Sequence, residues 1–262
     1  MDLIVKISKG SKMDQIYLPK NRIGLPIGQY VTILPLEVQL KQKSEFKPYF
    51  YNVRRLEPLK IELIEKIFNI VEQIKPENII ITGSFLEKGF RFNDIDILII
   101  KNDKIDYKKI QDKIEDITGI KTHIIGLSSD TFFSGLSIDP LYRLMISKCV
   151  SKKRLTFKLK RNLNYKLLDY QLLKSDVLPD NFDFLTGDEK YYLTRSMIAI
   201  LLFVQNKKLT KKTVDAAIES TFKISVKDIK ENFIDKKGFN KIYKEIYNNV
   251  SELILERIHE SK

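Results

Sequence analysis

Cysteine occurs once in the 262 residues and histidine twice. A lone Cys149 forms no internal disulfide, and so few soft ligands exclude a Cys/His zinc site. Long apolar runs are also missing. The longest strongly apolar run, 197–204, falls far short of the ~18 residues that cross a bilayer. The opening MDLIVKISKG has none of the charged-then-apolar layout of a signal peptide. These absences lead us to expect no membrane span and a cytoplasmic location. Acidic charge is in deficit: 46 Lys and Arg against 34 Asp and Glu give a formal charge of +12. That balance favours acidic partners such as nucleic acid, nucleotides or an acidic membrane face, with a merely lysine-decorated surface as the alternative. There is no internal repeat and no low-complexity segment. Apolar residues reach 43% and charges are scattered, so a folded chain with a real core is expected rather than a disordered one. The length suits one large domain or two to three small ones.

Along the chain, residues 2–40 read as short β-prone runs (LIVKIS, QIYLPK, QYVTILPL) broken by Gly10, Pro19, Gly24, Pro26 and Gly28. The layout IYLPKNRIGLPIGQYVTI, 16–33, resembles the AbrB-like swapped-hairpin DNA-binding domains. Its gap is shorter than in that pattern, and Gln29 stands where an acid is usual. A β extension of the main domain is the other reading. Residues 41–57 have no clean period and read as a linker. From 58 to 74, Ile64, Ile67, Phe68, Val71 and Ile74 recur at helical spacing. The order then predicted is strand (IIIT), a Gly-Ser turn with a short helix, strand (DIDILII), amphipathic helix over 106–119, strand (IKTHIIGL). From Asp139 onward the pattern is almost wholly helical. Leu193, Met197, Ile200, Leu201 and Val204 form one stripe, and Ile242, Ile246, Val250, Leu253, Ile254 and Ile258 another. The expected fold class is α+β: a β module at 1–40, a linker at 41–57, a small mixed-sheet core at 58–137 and a helical domain at 138–262.

One stretch carries chemistry: ITGSFLEKGFRFNDIDILII, 81–100. Residues i and i+2 of a strand share a face, so Asp94 and Asp96 project side by side while Ile95 and Ile97 point into a core. Adjacent carboxylates repel, and one tends to keep its proton. A divalent cation removes the conflict, and Mg²⁺ is commonly held by one or two carboxylates plus substrate phosphates. Gly83 lets the backbone approach a ligand closely, and Ser84 offers a hydroxyl and an N–H at a predicted helix start, where an anion is favoured.

Gly83-Ser84, nine residues, then Asp94-Ile95-Asp96-Ile97 resembles the signature of the nucleotidyltransferase fold superfamily, the DNA polymerase β-like group. The likeness covers about 58–127, roughly a quarter of the chain. It implies a nucleotidyltransferase core, an NTP substrate and Mg²⁺ or Mn²⁺ on Asp94 and Asp96. It also implies transfer of a nucleoside monophosphate to a hydroxyl acceptor. The sequence departs from the family pattern at one place. The third carboxylate expected in GIKTHIIGL, near His123, is not there, and the nearest acids are Asp103 and Asp130. A neutral His123 suits Mn²⁺ better than Mg²⁺, and is otherwise a hydrogen-bonded strand residue.

The segment 147–166 holds eight Lys or Arg and no acid, with Phe157 and Tyr165 interleaved, and 206–212 is a second basic cluster. Arg143, Lys148, Lys152 and Lys153, expected on or near one helix, are candidates for phosphate contacts, with a solvated basic face as the alternative. The charge balance points to RNA, tRNA included, as acceptor, with DNA, a protein hydroxyl or a small molecule as other options. The missing third acid leaves open a catalytically degenerate member that binds nucleotides or nucleic acid, and a toxin-like enzyme acting on tRNA is a third reading.

Overall fold

The computed structural model describes residues 7–18, 20, 24–33, 47–103, 105–156 and 160–260. The fold is α+β, as expected, and divides into two units, Met1–Lys43 and Ser44–Lys262. In the first unit, β1 (Ile7–Ser8) pairs antiparallel with β2 (Gln15–Ile16). At Pro26 the chain turns back, Gln29 N donating to Pro26 O at 3.3 Å, with Gly28 supplying the positive φ that a type II turn needs. The third β-prone run has no strand over 29–33, and 34–36 lie outside the described residues, as do Pro19 and 21–23 of the AbrB-like layout.

The second unit is built on a five-stranded mixed sheet in the order β3-β7-β4-β5-β6. These strands are β3 (Tyr49–Tyr51), β4 (Asn78–Thr82), β5 (Ile95–Ile100), β6 (Thr122–Leu127) and β7 (Cys149–Ser151). β4 runs antiparallel to both β5 and β7, and β5 runs parallel to β6. Alternation along the central strands feeds two cores. Ile79, Ile81, Ile95, Ile97 and Ile99 pack with α1 (Pro58–Glu72) and α2 (Tyr107–Thr118). Ile80, Leu98, Ile100 and Cys149 face the other way, against Phe132 and Leu136 of α3 (Ser129–Ile138) and Ile146 of α4 (Pro140–Ile146).

The sequence gives these elements clear ends. α1 starts on Pro58, which needs no N–H partner at that position. α2 is capped by the Asp106 carboxylate and stops at Gly119 in the left-handed region. Asp139 caps α4 by accepting from Leu141 N and Tyr142 N. Behind the sheet, α7 (Gly187–Val204) starts at a Thr186–Glu189 capping box. It packs against α4, α5 (Tyr165–Leu173), α8 (Lys211–Phe222), α9 (Val226–Lys230) and α10 (Lys236–Glu260). The short α6 (Val177–Asp180) lies beside α10. Among the described residues no helix is long and apolar enough to cross a membrane.

Two expectations need correction, the linker at 49–51 and the shared helix of the basic residues, and others gain detail. Residues 49–51, read as linker, are the edge strand β3. Tyr49 and Phe50 remain exposed, so no buried apolar run marked them. After Asp139 every described element is a helix, as expected, except β7, which enters the sheet between β3 and β4. Its three buried residues, flanked by lysines, are too short to show a period. Arg143, Lys148, Lys152 and Lys153 therefore do not share a helix, since α4 ends at Ile146. The α7 stripe faces the core as expected, with Met197, Ile200 and Val204 buried and Leu193 and Leu201 packed against them, on a helix buried almost all round. On α10 the buried line runs through Phe239, Tyr243, Val250 and Ile254, with Ile242, Ile246 and Leu253 packed beside it. The side chain of Ile258 lies outside the described ones.

Candidate functional site

Antiparallel pairing of β4 with β5 sets Thr82 opposite Asp96. The next residue, Gly83, adopts φ 84° and ψ −165°, a region open in practice to glycine alone. A Cβ there would lie 2.2 Å from Asp96 Oδ2. Glycine is therefore required twice at this point, by its backbone angles and by the carboxylate pressed against it. Asp96 has the same parity as Leu98 and Ile100, so it points toward the face covered by α3 and α4. Thr82, buried beside it, donates its hydroxyl to Met145 O at 2.9 Å and to Lys148 O at 3.1 Å, tying that end of the sheet to α4.

Asp96 is a third exposed, and its carboxyl is held above the ordinary aspartate range. Burial is the larger cause and the Asp94 charge the second, while His123 pulls the other way. Ionising both aspartates together is thus unfavourable unless positive charge arrives. His123 sits opposite Asp96 in the parallel register of β5 and β6, its Nδ1 3.5 Å from Asp96 Oδ1, and is largely exposed. The position where the sequence pattern asks for a third carboxylate is therefore the one this imidazole fills. Among the described residues no group of three or more His, Cys, Asp or Glu side chains is set to hold a metal ion. β5 begins at Ile95, so Asp94 stands just before the strand rather than beside Asp96 on its face, as the sequence pattern led us to expect, although its charge still acts on the Asp96 carboxyl. A hard cation would find Asp96 and the nearby Asp94 charge there, with the rest of its coordination left to a ligand.

Ser84 is exposed and opens a three-residue 3-10 turn, Ser84–Leu86, where a short helix was expected. So short a turn carries no useful macrodipole, and the contribution at Ser84 is its hydroxyl and local N–H groups. The loop that follows is fastened from below by Lys60 of α1. This lysine is fully buried, donates to Glu87 O and Gly89 O at 2.6 Å each, and pairs with Glu57 at 3.2 Å. Phe85, Phe90 and Phe92 surround its ammonium at 5.4–5.6 Å from their ring centres. Glu57 completes the knot by accepting from Gly89 N at 2.6 Å.

Two lysines fasten the loop from above. Glu87 pairs with Lys148 at 2.9 Å and with Lys211, the first residue of α8, at 2.8 Å. Burial pushes the Glu87 carboxyl up, but the two ammonium groups outweigh it and hold the carboxyl below its ordinary range. Lys152 is at the other end of β4, its N–H bonded to Ile79 O and its side chain paired with Glu72. The structure thus sets Gly83 and His123 against Asp96, with Asp94 near enough for its charge to act on Asp96 and Ser84 next in the chain to Gly83. It sets Lys148 beside them already engaged by a carboxylate, and takes Lys152 away.

Arg143 differs from both lysines. It donates Nε to Leu136 O at 2.8 Å, and its guanidinium carbon lies 5.4 Å from the centre of the buried Phe203 ring. Arg161 lies 5.5 Å from the same ring and donates to Phe203 O and Lys207 O. Burial first, and the neighbouring Arg161 charge second, lower the Arg143 pKa. Among the described residues neither guanidinium has an ion pair.

Sequence reasoning passed over Lys60, Glu57, Glu87, Lys211 and Arg161. Lys60 carried a faint signal, a cation inside the apolar face of an amphipathic helix. Glu57 stands three residues before Lys60, but its bond to Gly89 N and the contacts of Glu87, Lys211 and Arg161 span 27 to 124 positions, which no local pattern records. Searches for known relatives return nothing: no family model, no curated protein and no solved structure matches this chain.

Proposed function

We propose that the chain is a metal-dependent nucleotidyltransferase of the cytoplasm, moving a nucleoside monophosphate from an NTP to a hydroxyl acceptor, with RNA, tRNA included, as the acceptor class. The observation that carries this reading is the junction of Gly83 with Asp96. A backbone conformation restricted to glycine is placed against a carboxylate that a second carboxylate makes hard to ionise. Such an arrangement costs stability, and a cation shared with a triphosphate offsets the cost. Asp94 and Asp96 hold Mg²⁺ or Mn²⁺ in this reading, and Ser84 with the turn N–H groups orients the phosphates. Bound there, the cation supplies charge neutralisation for the triphosphate and the departing pyrophosphate. Lys60 and Glu57 keep the loop between Ser84 and Asp94 in one place, and the Glu87 pairs with Lys148 and Lys211 hold it against the helical part. Transfer from α-labelled NTPs in Mg²⁺ or Mn²⁺ is the test. Asp94→Ala and Asp96→Ala each abolish transfer in folded protein, and full activity in either variant contradicts the assignment.

A second reading, a protein that binds nucleotides or nucleic acid on the same frame without turnover, is favoured by one observation. His123 occupies the position beside Asp96 where a third carboxylate would activate the acceptor hydroxyl. It is distinguished by NTP binding without pyrophosphate release.

A further inference from the structure

Like charges brought together inside a protein without a counter-ion point to an anion that arrives from outside. Lys148 and Lys211 share Glu87, Lys152 has Glu72 and Lys230 has Asp188, so these cations are neutralised within the chain. Arg143 and Arg161 are not. They flank one ring, Phe203, and backbone carbonyls fix each guanidinium in place: Leu136 O for Arg143, Phe203 O and Lys207 O for Arg161. Those bonds use one donor of Arg143 and two of Arg161, leaving most of two planar forks open. Both side chains are half-buried, where charge is less screened than on an open surface.

Two short stretches of chain link the pair to elements that meet the Asp96 end of the sheet. Met145, whose carbonyl takes the Thr82 hydroxyl, is two residues from Arg143 on α4, about 3 Å of helical rise. Lys207, whose carbonyl takes Arg161, is four residues before Lys211, which reaches Glu87. Lys160, next in the chain to Arg161, and Lys207 and Lys208, at the carbonyl that Arg161 holds, are exposed and add positive charge beside the pair. A compact triphosphate fills one point. Several cations around one fixed pair suit a chain of phosphates.

We propose that Arg143 and Arg161 form a clamp on the phosphate backbone of a nucleic-acid strand, which leads along Lys207, Lys208 and Lys160 and presents its end toward Asp94 and Asp96. Calling the strand an acceptor rests on the nucleotidyltransferase reading, whereas the clamp itself does not. The clamp prefers Arg to Lys because a fork can grip two phosphate oxygens at once.

The test measures binding of a fluorescent single-stranded U12 RNA to the full chain without nucleotide, over a KCl series, with the matching DNA strand, ATP and a hepta-glutamate peptide as competitors. The expected result is salt-sensitive RNA binding. Arg143→Gln lowers affinity about tenfold and flattens the plot of log K against log salt by about 0.7–1. Arg143→Lys keeps the slope and loses part of the affinity. Arg161→Gln repeats the first result if its melting curve matches wild type. Should it melt early from loss of its bonds to the Phe203 and Lys207 carbonyls, Arg143→Gln decides alone, since Arg143 gives a single backbone bond, to Leu136 O. Wild-type affinity and slope in folded Arg143→Gln overturn the proposal. So does competition by the acidic peptide equal to RNA, or by ATP equal to RNA at matched phosphate. DNA competing as well as RNA leaves the clamp standing and removes the preference for RNA. Because nucleotide is absent, a chain that transfers nothing can still pass, and loss of the clamp leaves the transfer reading to its own assay.

Discussion

Asp96 carries two burdens at once, partial burial and the Asp94 charge, and both favour its protonated form. The consequence for stability has a definite sign. The folded chain keeps the Asp96 proton to a higher pH than the unfolded chain does. The associated stability is present below the ordinary aspartate value of about 3.9 and is lost as pH rises through the folded value. At neutral pH without divalent cation, the ionised pair is therefore a net cost. Asp96→Asn is expected to raise Tm at pH 7 by a few degrees, at most about 1 kcal/mol because Asp96 is still partly exposed, and to leave Tm unchanged near pH 3.5. Mg²⁺ or Mn²⁺ should raise the wild-type Tm at pH 7 and leave that of Asp96→Asn alone. Thermal melts at the two pH values, with and without cation, check this. Cys149 takes no part in such behaviour. Burial pushes its thiol up to about 12, and it acts as a small apolar residue between β4 and β3.

At the scale of elements, the loop between β4 and β5 is held by a lysine rather than by regular structure. Removing Lys60 as Lys60→Met leaves Glu87 O and Gly89 O without their donor and Glu57 without its cation. The expected loss is about 3 kcal/mol or more, a fall in Tm of roughly 6–12 °C, seen by calorimetry or denaturant unfolding. The sequence made much of this frame legible. Helix α1 shows a clean 3.6 period with Ile64, Ile67, Phe68 and Val71 buried. The Asp106 cap and Gly119 stop define α2, and β4, β5 and β6 lie where apolar runs were marked. Gly83 was picked out for close approach to a ligand, whereas the group its backbone meets here is the chain's own Asp96 carboxylate. What stayed hidden has a common cause. β3 and β7 are three residues each, too short for a period to declare itself, and the partners of Lys60, Glu87 and Arg161 are distant in sequence. Charge pattern along the chain likewise ranked Lys148 and Lys152 with Arg143. Only the fold distinguishes cations that already have a carboxylate from one that has none.

For the molecule as a whole, the boundary between sheet and helices is not a boundary in the chain. Strand β7 follows α4, returns to the sheet between β3 and β4, and only then does the chain enter the bundle around α7. The end of the sheet that bears Asp96 is consequently tied to helical elements by Thr82, Lys148 and Lys211, and a ligand held there would meet groups from both parts. A net charge of +12 over such a surface favours anionic ligands in general, so affinity alone proves little and dependence on two particular acids proves more. Calorimetric titration of ATP or CTP in the presence of Mg²⁺ or Mn²⁺ asks that question directly. We expect saturable binding to the wild-type chain that disappears in EDTA and in the folded Asp94→Ala/Asp96→Ala double variant. Binding to the double variant as tight as to wild type would contradict the site at Gly83, Asp94 and Asp96.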